Sequence, residues 1–161
     1  MDWFNRLFQH DLWANERVLR CCDGLSKEQL SAPVGEMFGS IGETFTHLLG
    51  VEQAYLEMMG GSPVAERIPA RGTDSLDGIR ARLPVIAAGY DRFTQSLDDG
   101  QLQREFHIPW FQRDLSVADG LLQVINHSTE HRSDLAGALT RIGLKTPSLE
   151  YAFFVLGLKD D

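Results

Sequence analysis

Five histidines (His10, His47, His107, His127 and His131) are the side chains of this 161-residue chain best suited to chemistry. His127 and His131 stand four residues apart, so on a helix their rings lie one turn apart on one face. That spacing sets two imidazole nitrogens where a single ion can bridge them. The same face carries an apolar row: Val117, Leu121, Val124, Ser128, His131, Leu135, Ala138 and Ile142, with His127 flanking it. A buried neutral imidazole needs partners for both ring nitrogens, and two of them in an apolar row are costly unless something coordinates or hydrogen-bonds them. A lone histidine on such a face is ordinarily a satisfied core residue. The pair leaves the core and metal readings both open, and a third histidine from another helix would favour metal. His47 lies about two turns into its own helix, whereas the pair lies three to four turns into theirs. A common level therefore depends on helix directions that spacing does not supply.

The elements that must position these residues are helical. Phe4, Leu7, Phe8, Val18 and Leu19 mark a first helix from about Asp2 to Cys22, with Asp11 and Asn15 on or beside its apolar stripe and Gly24 as its stop. Ser26-Lys27-Glu28-Gln29 reads as a capping box for a short turn that Pro33 and Gly35 cut off. Ser40-Ile41-Gly42-Glu43 is a second capping box, and it opens a helix through Met59 that Gly60-Gly61-Ser62-Pro63 ends. Residues 64–73 read as a long crossover loop. A third helix is expected from about Asp74 to Leu97, kinked or locally irregular at Pro84 and closed by Asp98-Asp99-Gly100. Residues from Gln103 to Leu115 lose the period and read as a short hairpin or an ordered loop. Ser116 then caps a fourth helix that Gly143 and Pro147 end, and a short apolar helix from about Ser148 to Leu158 packs at the end. One all-α domain over residues 1–161, built as a four-helix bundle, accounts for this order.

Here the residues resemble a known family. Leu12-Trp13-Ala14-Asn15-Glu16-Arg17-Val18-Leu19, then Thr46-His47-Leu48, then His127-Ser128-Thr129-Glu130-His131-Arg132 look like the DinB-like family of bacterial four-helix proteins, in order and spacing from about Asp11 to Ile142. The resemblance implies an up-down-down-up bundle, one divalent metal ion (commonly nickel or zinc) held by three histidines matching His47, His127 and His131, and a homodimer. Some relatives are thiol-dependent S-transferases or isomerases using low-molecular-weight thiols. Family members often carry a small residue and then glutamine after the His-Arg pair, but Ser133 and Asp134 stand here. Asp134 reads first as solvated or salt-bridged, and second as orienting a ligand imidazole.

Three neutral imidazoles with no carboxylate would leave the ion its full charge and an open position. Such a site can activate water or stabilise a thiolate aimed at a small electrophilic substrate. The alternatives are a noncatalytic metal-binding or stress-related helical dimer, and a plain helical dimer with structural histidines. His127 to His131 also fits the H-x-x-E-H pattern of inverted zinc peptidases with Glu130 as base. Those enzymes are larger and need a downstream ligand, and Glu150 is the sole glutamate after His131.

Other polar residues have plainer readings. Glu43 reads first as the partner of Ser40 and second as a support for His47 one turn on, Glu130 belongs to a helix surface, and Arg132 reads first as a salt-bridge or dimer-contact residue and second as a substrate anchor. Glu52 and Asn15 line the interior or face solvent. His10 faces outward, and His107 lacks a matching partner. Phe106, Trp110 and Phe111 are core or interface residues, or walls of a pocket. A formal net charge of -8, with no run of Lys and Arg, disfavours nucleic acid and anionic membrane. No apolar stretch approaches the ~20 residues of a membrane span, and the opening residues lack the uninterrupted apolar region expected of a signal peptide. Cys21 and Cys22 are neighbours whose bridge would be strained, so reduced thiols and a cytoplasmic location are expected.

Overall fold

Capping chemistry sets where the long helices begin. The computed structural model describes residues 2–34, 39–62, 64 and 75–160. In it, the Glu43 amide donates to Ser40 Oγ at 3.2 Å and the Ser40 amide donates to the Glu43 carboxylate at 2.9 Å. This reciprocal pair starts helix α3 (Ile41–Met59). Helix α1 spans Asp2–Cys21, and the short helix α2 (Lys27–Ser31) follows its own capping box. Ser75 caps α4 (Leu76–Gln95), close to the expected start, and the helix runs unbroken through Pro84. Proline deprives Arg80 of its helical donor, yet both residues are exposed, so water can serve that carbonyl. Asp98 does not simply close the segment: it caps one more short helix, α5 (Asp99–Gln103). The hairpin reading holds over the loop reading, with β1 (Glu105–Ile108) antiparallel to β2 (Arg113–Ser116). Ser116 caps α6 (Val117–Arg141), and α7 (Tyr151–Leu156) is shorter than expected and rests on α1. The expected crossover loop and the breaks at Gly35 and Pro63 lie largely or wholly outside the described residues.

Contacts along the helices give their directions. Asn5 of α1 donates to Asp91 of α4 at 2.8 Å, while Asp23, just past α1, pairs with Arg80 near the start of α4. Those two are antiparallel. Asp11 meets Arg132, and Cys21 approaches the carbonyl of Lys145, so α1 and α6 run parallel. His47 of α3 faces His127 of α6, and Met59 lies against Gly120, so this pair is antiparallel. Helices α3 and α4 are then parallel. The order is up-down-down-up, as the resemblance implied.

Most of the described bundle interior is apolar, and the buried charged residues gather at one level. Phe45, Leu48, Leu49, Ile79, Leu121, Val124, Leu135 and Leu139 are almost wholly buried, as are Asp11, Asn15, Glu52, Ser128 and Arg132. Arg132 forms an ion pair with Asp11 and donates to Asn15 Oδ1 at 3.0 Å. The Asn15 amide donates to Asp11 and to Glu52, both at 3.1 Å, and the Ser128 hydroxyl donates to Glu52 at 2.8 Å. Burial first, and Asp11 second, push the Glu52 carboxyl well above the ordinary range, which favours its neutral form. The ion pair at this level is Arg132 with Asp11. Dehydrating two ions costs several kcal/mol each, and the surrounding hydrogen bonds offset that cost only while both partners are present. Arg132→Met should lower the unfolding free energy by about 3–5 kcal/mol, and the double variant Asp11→Leu/Arg132→Met should recover most of the loss. Denaturant titration measures both; a single variant as stable as the parent would contradict this account.

Candidate metal centre

The antiparallel packing of α3 on α6 resolves the question of level. Met59 contacts the neighbourhood of Gly120. His47 lies twelve residues back from Met59, and His131 lies eleven residues past Gly120. Equal rise per residue then brings His47 level with the pair. His127 Nε2 is 3.2 Å from His47 Nε2 and 3.1 Å from His131 Nε2. One ligand atom from each of the three lies within 4.8 Å of the others. His10 and His107 stay apart from this cluster.

The histidines do not occupy the centre of the α6 row. Ser128 and Arg132 do, and His127 and His131 sit half-buried on its shoulder. Burial, followed by the neighbouring His131, lowers His47 to about 4; burial, then His131 and His47, lowers His127 to about 3. Both rings are neutral at physiological pH, the state in which imidazole ligates a metal.

Donor chemistry fits a cation here. A neutral imidazole nitrogen carries either one proton or one lone pair. His127 Nε2 faces two other Nε2 atoms at hydrogen-bonding distance, and one such nitrogen cannot satisfy both as a single donor or a single acceptor. A cation between the rings would be met by three lone pairs. Asp134 lies 3.5 Å from His131 Nδ1 with its side chain partly exposed. That carboxylate favours a proton on Nδ1 and so leaves the Nε2 lone pair free for an ion. The partly exposed carboxylate beside the ring agrees with the salt-bridged reading of Asp134.

Beside the cluster lies a cavity of about 310 Å³, lined by His47, Val51, Tyr55, Trp110, Phe111, Gln123 and His127. Helical repetition explains five of its walls: 47, 51 and 55 follow at four-residue steps on α3, and 123 and 127 do so on α6. The spacing that links Val51 and Tyr55 to His47, and Gln123 to His127, is a signal the sequence contained and the sequence reading passed over. Trp110 and Phe111 arrive on the hairpin turn. Phe106 anchors that hairpin against Gly120, where an added Cβ would come within 2.8 Å of its ring.

The remaining candidates fall elsewhere. Glu43 serves its cap, and Glu130 is exposed and does not line the cavity, so the peptidase pattern lacks its base there. His107 is not without a partner: it sits directly across the hairpin from Asp114, with Nδ1 and Oδ1 2.7 Å apart. His10 does not simply face outward. It is half-buried, with Nε2 3.0 Å from the Leu149 carbonyl and its ring edge-on to Tyr151. Cys22 is buried, and burial pushes its thiol up to about 12, in keeping with a small core residue.

The model of the DinB family matches residues 1–157. The chain belongs to the DinB family. Protein DinB of Bacillus subtilis (strain 168) is 21% identical over 173 residues, covering 99% of this chain and 98% of that protein. A DinB-like protein of Bacillus cereus ATCC 10987 superposes with a TM-score of 0.67 at 18% identity, over 88% of this chain and 94% of the other. YfiT of Bacillus subtilis, described as a probable metal-dependent hydrolase with an unusual four-helix-bundle topology, gives 0.71 at 16% identity over 88% and 89%. At these identities the solved structures bear on the fold alone. No described helix of this DinB-family chain is long and apolar enough to cross a membrane.

The lowered histidines make acid sensitivity a readout of the cluster. In the unfolded chain both titrate near 6.5, but in the metal-free fold only near 4 and 3. Between those values the unfolded state binds more protons, so stability falls as pH is lowered through the window. Metal-free His127→Gln should show a shallower loss of Tm between pH 6.5 and pH 4 than the parent. Thermal unfolding across that range checks it, and identical slopes would refute the assignment.

Proposed function

We propose that this DinB-family protein binds one divalent metal ion, nickel or zinc, through Nε2 of His47, His127 and His131 and is a metal-dependent enzyme activating water or a thiol against a small electrophile. The observation that carries the reading is the convergence of three imidazoles beside a cavity of ligand size. When bound, an ion with three protein ligands keeps a position open and supplies Lewis acidity to a water or thiol placed there.

The protein's own residues supply position and environment. Asp134 orients His131, while Ser128 and Arg132, held in the buried polar level, fix the rotation of α6 under both of its histidines. No carboxylate lines the cavity among the described residues. Acidification of the nucleophile therefore rests on the ion rather than on a side-chain base. The description of YfiT as a probable metal-dependent hydrolase favours water as the nucleophile, and the S-transferases among the family's relatives favour a thiol.

Elemental analysis of protein purified without an affinity tag should find about one ion per chain, lost in His127→Ala and His131→Ala. Metal-loaded protein should turn over activated esters, or electrophiles in the presence of low-molecular-weight thiols, and lose that activity in a folded His47→Ala variant. Absence of stoichiometric metal would overturn the metal reading. Bound metal without turnover in either assay would leave a noncatalytic metal-binding module. Asp134→Asn should weaken metal affinity by about tenfold, the lower end for partners that orient a ligand, as competition with a chromogenic chelator would measure.

A further inference from the structure

The cavity beside the three histidines carries information about what binds there. Of its described walls, none is an Asp, Glu, Lys or Arg side chain: besides His47 and His127 they are Val51, Tyr55, Trp110, Phe111 and Gln123. Burial raises the phenol of Tyr55, so it stays protonated. An anionic group entering these walls would shed water without meeting a counter-charge from them.

The aromatic walls are also fixed. Trp110 stands edge-on to Tyr55, ring centroids 6.0 Å apart, and Phe111 stands 6.2 Å from Trp110. Tyr55 is almost wholly buried and packs on Phe106, which is wedged against Gly120. The hairpin thus holds Trp110 to the bundle through packing on both sides. Phe111, 62% exposed, stands at the outer edge. Gln123 is the one amide of the wall, on an exposed position of α6.

Resting on the metal reading above, we infer that this cavity is a subsite for the uncharged aromatic group of a small substrate whose single polar head is directed at His47, His127 and His131. Substrates with an aryl group next to the reacting centre fit it. Thiols or acceptors that present carboxylates to this wall do not. Trp110 is then a specificity-determining residue, and the hairpin is the element that chooses the substrate.

Three hydroxamic acids that share one metal-directed head test this on the zinc-loaded protein by calorimetric titration. Benzohydroxamate should bind at least about tenfold tighter than acetohydroxamate, because the ring leaves water. It should exceed 4-carboxybenzohydroxamate by a similar factor. Trp110→Ala should bring the benzo-to-aceto ratio to within about threefold of unity, with zinc content and acetohydroxamate affinity unchanged. Phe111→Ala, at an exposed position, should lower the ratio in the same direction should Trp110→Ala not fold. Gln123→Lys should shift preference toward the carboxylated compound. A benzo-to-aceto ratio near one in the parent, a ratio untouched by both aromatic variants, or equal binding of the carboxylated compound would overturn the proposal. The metal-free protein separates the two readings. Saturable broadening of the fluorine signal of fluorobenzene by that protein supports the subsite even if zinc is not taken up, and its absence counts against the subsite even if zinc is bound.

Discussion

A cation and an anion buried at the same level of the bundle constrain the rest of this molecule. Arg132 reaches Asp11 across the α1–α6 interface, and Asn15, Glu52 and Ser128 complete their hydrogen bonds from α1, α3 and α6. An apolar contact tolerates a small rotation of a helix, because dispersion forces have little direction. A buried ion pair does not: a rotation that separated Arg132 from Asp11 would strand two charges in a low-dielectric interior. The rotation of α6 is accordingly set by Ser128 and Arg132.

That rotation has a consequence for the neighbouring positions. Ser128 follows His127, and Arg132 follows His131, so fixing Ser128 and Arg132 on the centre line puts the preceding histidines on the shoulder facing α3. There His127 loses enough water to be neutral, yet remains near enough to the surface to line an open cavity with His47. Full burial would have closed the site. The polar level and the histidine cluster are two faces of one positioning device.

The hairpin plays the complementary part. Its strands are short, and its register is set by the pairing of Glu105 with Ser116 and Ile108 with Arg113. Packing rather than strand length holds it, through Phe106 against Gly120 and Tyr55. A bundle of four helices offers few concave surfaces lined by aromatic rings. Adding Trp110 and Phe111 on a separate element supplies one without disturbing the helix seams.

Much of this was legible before any coordinates. Strong capping boxes, apolar periodicity and glycine stops marked the long helices, because these are local effects that spacing records directly. His127 and His131 were legible for the same reason, as one helix carries both. His47 was not: its join to the pair depends on α3 and α6 running antiparallel with Met59 beside Gly120, and only the family resemblance brought it forward. The pairing of His107 with Asp114 and the burial of His10 were likewise out of reach, since each depends on a neighbour placed by tertiary contact. By itself, the sequence determined which residues share a helix face and where the long helices start. Helix direction, level and rotation were decided by packing between elements, because a side chain's neighbours across an interface depend on the whole set of buried groups that must be satisfied at once.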